Sequence, residues 1–91
     1  MIRSIIQSIL DAVRSSFTLE KIIKYDDHQG YLITISHYSE KDSYLLADLS
    51  YIMFELERIF IESYIDTFDE NTTTIYVKSY VALEGLQWIL K

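Results

Sequence analysis

The sequence predicts an α+β domain, one four-stranded antiparallel sheet with two helices on one face, in the order αββαββ. Three observations carry this. A long helical periodicity runs from Ser39 to Phe68, strand-like alternation flanks two turn-forming clusters, and the two halves of the chain can be laid over one another.

The first helix is read from Ile2, Ile5, Ile6, Ile9, Leu10, Val13 and Phe17 at helical spacing, with Ser4, Gln7, Ser8, Asp11 and Arg14 opposite. Its polar face holds two arginines offset by Asp11, so core packing fits it better than a membrane surface. Thr18 to Asp26 and Tyr31 to Tyr38 then alternate about the turn formers Asp26 to Gly30, which reads as a β-hairpin.

The central helix is expected to start near Glu40, where Ser39 and Asp42 make a weak capping pattern, and to run to Phe68. Leu45, Leu49, Ile52, Leu56 and Ile59 form its buried face, with Leu46, Met53, Phe60 and Tyr64 beside them. A helix of about 28 residues would be about 42 Å long, which is much for so small a domain. The competing reading makes Ser43 to Asp48 a short strand. A second hairpin is expected from Thr72 to Leu83 and Leu86 to Lys91, turning at Glu84 and Gly85.

Laying Ile5 to Ser36 over Phe60 to Lys91 pairs Ile6 with Ile61, Ser8 with Ser63, Asp11 with Asp66, Thr18 with Thr73, Tyr25 with Tyr80 and Gly30 with Gly85. Both expected hairpin glycines fall into register. An approximate helix-strand-strand duplication is one explanation, and coincidence under a shared two-layer fold is the other.

Ninety-one residues make a single domain, 1–91, able to bury one core. The chain has no Cys and no Pro, which excludes disulfide and thiol chemistry. Fourteen acidic against eight basic residues give a net charge of −6, which disfavours nucleic acid and anionic membranes and favours a basic protein partner. Neither a signal peptide nor an apolar run of spanning length is read, so a cytoplasmic location is expected.

Three surfaces are candidates. A second apolar stripe of the central helix, Ala47, Phe54, Ile61, Ile65 and Phe68, needs cover from the other helix, a second subunit or a partner; homo-oligomerisation is the expectation. An acidic flank, Asp48, Glu55, Glu57, Glu62 and Asp66, with Asp69 and Glu70 beyond it, could imitate a phosphate backbone and engage a basic protein, or be a solvated face. The open sheet face, with Lys21, Tyr25, Tyr76, Lys78 and Tyr80 and no carboxylate, could stack and neutralise single-stranded nucleic acid.

Catalysis finds little support. His28 and His37 belong to no nucleophilic or metal-ligand motif, and no phosphate-cradling loop is present, so no enzyme activity, cofactor or metal is expected. The expected function is a small acidic protein-binding module, self-associating, and more specifically an inhibitor or adaptor of a nucleic-acid-processing protein. In size and charge the chain is similar to small inhibitors carried by viruses and mobile elements, such as anti-CRISPR proteins.

Overall fold

The computed structural model describes residues 2–13, 16–25, 29–37 and 44–79. They form helix α1 (Ile2–Asp11), strands β1 (Phe17–Tyr25) and β2 (Gly30–His37), helix α2 (Leu45–Ile59), and strands β3 (Glu62–Phe68) and β4 (Thr72–Lys78). This is the expected αββαββ order. The sheet runs β1-β2-β4-β3, with every neighbouring pair antiparallel.

One core joins the layers. Ile6, Ile9 and Leu10 of α1 and Leu49, Ile52 and Leu56 of α2 pack with Leu19, Ile33, Ile35, Ile75 and Val77 of the sheet, so both helices lie on the same face. The spacing of those helical residues puts each set on one stripe, and alternation puts every second strand residue beneath it. Helix α1 closes when the Ala12 N–H donates to the Ile9 carbonyl at 3.2 Å. Phe17, placed on that helix by periodicity, instead begins β1.

The central helix is about half the length expected. It begins at Leu45 and ends at Ile59, where Phe60 turns extended (φ −108°, ψ 152°) while its N–H still donates to the Leu56 carbonyl at 2.9 Å. Leu45 to Asp48 are helical, which removes the competing strand; Ser39 and Asp42 lie outside the described residues. Glu62–Phe68 contains Tyr64, Ile65, Thr67 and Phe68, all side chains that favour strands, and pairing with β4 satisfies its backbone. The second hairpin is therefore β3 with β4. The strand expected over 86–91 lies outside the described residues.

The repeat exists in topology but with another register. Strands β2 and β4 meet at the centre with Ile33 opposite Ile75, and each has its hairpin partner outside it, so β1 answers to β3 and β2 to β4. Laying Ile5 to Ser36 over Phe60 to Lys91 instead sets β1 on β4 and α1 across the end of α2 and β3. The identities it collects do not mark equivalent positions.

Each edge strand carries one bulge, at Glu20 in β1 and at Asp66 in β3. Both bulged residues are carboxylates reached from the adjacent inner strand. Ser36 Oγ donates to Glu20 Oε1 at 2.7 Å, and Thr74 Oγ1 to Asp66 Oδ2 at a longer 3.5 Å. Bulges and charges on edge strands blunt backbone pairing with other chains.

Candidate functional site

An open, mainly apolar groove of about 500 Å³ lies between α2 and β3, lined by Leu46, Leu49, Ser50, Met53, Phe54, Glu57 and Ile65. Its geometry follows from the helix phase. Leu45, Leu49, Ile52 and Leu56 point at the sheet, which leaves Leu46, Ser50, Met53 and Glu57 on the flank towards β3. Ile65 stands opposite Ile75 in register and so faces the helix layer. Among the described residues β3 has no neighbour on its outer side, and the groove opens there.

Leu46, Phe54, Ile61, Tyr64, Ile65 and Phe68 are between 40% (Ile65) and 68% (Leu46) exposed. Of the residues expected to self-associate, Phe54 and Ile65 are brought together in the groove. Ile61 precedes β3, its N–H donating to the Lys78 carbonyl at 2.9 Å, and Phe68 lies at the far end of β3, stacked on His37 with ring centroids 5.8 Å apart. Ala47 is not with them; it lines a second hollow with Ala12, Val13, Tyr44, Asp48 and Tyr51. The five are not one stripe of one helix, because the chain changes from helix to strand between Phe54 and Ile65.

Sequence reasoning placed Leu46 and Met53 on the buried face. Met53 is partly buried against the core and also lines the groove, whereas Leu46 is exposed on it; the signal for Leu46 was its spacing with Ser50 and Glu57, a polar-apolar flank.

The acidic residues do not form a row. Asp48 sits on the flank nearest α1, Glu55 receives Arg58 at 3.2 Å, and Glu57 borders the groove. Glu62 and Asp66 are on β3, on the open side of the sheet, Glu62 standing opposite Lys78. Asp69 and Glu70 are exposed between β3 and β4. The reversal of the chain after Ile59 divides the set, which removes the single charged helix on which phosphate mimicry depended.

The open face holds Lys21, Thr34, Ile23, Leu32, Tyr76 and Lys78, as alternation predicts. Tyr25 stands opposite Gly30, and Tyr80 lies outside the described residues. Tyr76 pairs with Tyr64, ring centroids 5.1 Å apart. This face is not free of carboxylates. Glu20, Glu62 and Asp66 share it, because β3 stands where a strand without acids was expected.

His37 is buried, with Nε2 2.8 Å from Thr73 Oγ1 and Phe17 edge-on at 5.8 Å. Among the described residues no three His, Cys, Asp or Glu side chains gather as metal ligands. Among those residues, too, no helix is long and apolar enough to cross a membrane. No protein-family model, curated protein or solved structure matches the chain.

Proposed function

We propose that this chain is a protein-binding module whose partner seats on the α2–β3 groove. The carrying observation is the exposure of Leu46, Phe54 and Ile65 around one hollow. Large apolar side chains grouped this way mark interaction surfaces, because leaving them in water forfeits about 25 cal/mol per Å². Aromatic anchors such as Phe54 are the usual centres of such contacts.

Charge narrows the partner. A net charge of −6, with Glu57 on the groove border, suits a basic rim around an apolar contact. An inhibitor or adaptor of a nucleic-acid-processing protein is a role of this kind. Single-stranded nucleic acid on the Lys21, Tyr76 and Lys78 face is the weaker reading, since Glu20, Glu62 and Asp66 lie among those residues.

The test is capture from native lysate with tagged wild type and with Phe54→Asp, each with and without nuclease. A protein retained by wild type after nuclease and lost by the variant supports the groove. Equal recovery by both removes it, and recovery of nucleic acid alone moves the site to the open sheet face.

A further inference from the structure

We propose that the groove's occupant is a basic amphipathic helix of the partner protein, lying along α2 as a third member of the helix layer. This rests on reading the groove as a protein-binding surface and names the segment it takes. Three observations carry it.

First, the wall has the spacing of a helix-packing seam. Leu46, Ser50, Met53 and Glu57 line the groove at steps of four, three and four residues, so they form one narrow stripe along α2. The stripe is about 16 Å long, or about three turns. Leu49 flanks it on the sheet side and Phe54 on the side away from the sheet, while Ile65 faces the same space from β3. Ridges of a second helix fit between such rows, and the small Ser50 at mid-length lets its axis approach. An added strand would need the outer backbone of β3, which the bulge at Asp66 interrupts.

Second, the area suits a short segment. Leu46, Phe54 and Ile65 together expose between one and two whole side chains. At about 200 Å² each this is about 300 Å², well below the ~800 Å² per partner of a standard interface. Two or three anchoring side chains fill such a site, which is how a helix is held in a groove.

Third, the charge asks for a base. Among the described residues lining the groove Glu57 is the only charged one, and it stands at the end of the stripe. A chain at −6 draws positive partners at long range, and Glu57 gives one of their bases a place in register with the apolar seam. The occupant therefore carries apolar residues at three- and four-residue steps, with lysine or arginine beside them.

The experiment is fluorescence anisotropy of the full chain with a labelled leucine-lysine peptide of about 14 residues, patterned at the helical period. Two comparison peptides have the same composition in strict alternation, which favours a strand, or the helical order with glutamate in place of lysine. The helical basic peptide is expected to bind at least about 10-fold more tightly than either. It is also expected to gain helix by circular dichroism, since so short a helix is marginal alone. Phe54→Asp should weaken binding by about 30-fold, the loss of one anchor, although the added negative charge would tighten a complex held by charge alone. Glu57→Lys should weaken it more than Glu70→Lys, which changes the net charge equally in the exposed turn between β3 and β4. Equal binding of the alternating peptide, or tightening by Phe54→Asp, overturns the proposal. If the peptide binds independently of Phe54 while capture from lysate still requires it, the helical occupant falls and the protein-binding reading stands. If neither depends on Phe54, both fall.

Discussion

The ring of Tyr76 lies across Gly30, so close that a Cβ on Gly30 would stand 2.5 Å from the Tyr76 hydroxyl oxygen and 2.8 Å from Cε1. The two residues sit on the inner strands β2 and β4, one diagonal step apart, where an aromatic ring covers a strand glycine. Gly30 has no positive φ, so space rather than backbone conformation excludes a side chain there. Gly30→Ala is expected to cost about 1–3 kcal/mol as the ring is displaced. In a Tyr76→Thr background the same substitution should turn stabilising by about 0.4–1 kcal/mol, because alanine narrows the unfolded ensemble. Urea unfolding of the four proteins measures the cycle, and additive effects would show that the ring does not exclude the Cβ.

Buried polarity at the other end of the sheet makes a second prediction. Thr73 is fully buried, and its hydroxyl is 2.8 Å from His37 Nε2 between the rings of Phe17 and Phe68. Thr73→Val keeps the shape and removes the hydrogen bond, so it should cost about 1–2 kcal/mol, with an unchanged denaturant slope. A neutral outcome would mean that the bond contributes nothing to stability.

The edge bulges predict a separation of stability from solubility. Deleting Glu20 would join Leu19, opposite Ile35, to Lys21, opposite Thr34, and leave every other side chain on its present face. The same holds for Asp66 between Ile65 and Thr67. The double deletion should fold with a stability change within about 2 kcal/mol, and scatter more light on prolonged warming, because two regular edges become available for pairing. Unchanged scattering would show that the bulges do not guard the edges.

How far the sequence could be read follows from where burial is one-sided. Strand β2 and the β4 residues Ile75 and Val77 were legible because inner strands with one face on the core alternate cleanly. Strand β3 was not. As an outer strand with a bulge it buries neither face well, so its alternation is lost, while Phe60, Tyr64 and Phe68 keep a helical phase with Leu56. No Gly or Pro marks the break at Phe60. The same misreading decided the surfaces: Phe54 and Ile65 are both exposed, as the apolar stripe suggests, but the groove that unites them requires a strand folded back beside the helix.

Helix phase gives the last prediction, and it separates core from surface within one turn of α2. Leu49 is buried beneath the helix, and Leu46 is the most exposed of the large apolar residues named above. Leu49→Ala should therefore cost about 2–5 kcal/mol, the transfer loss plus the cavity it leaves. Leu46→Ala should change stability by less than about 0.5 kcal/mol, since alanine also has the better helix propensity. In capture of a partner protein the order reverses: Leu46→Ala weakens retention, and Leu49→Ala acts only through folding. A Leu46→Ala cost above about 2 kcal/mol at low protein concentration would mean that Leu46 is buried within a single chain, and the groove would cease to be a surface.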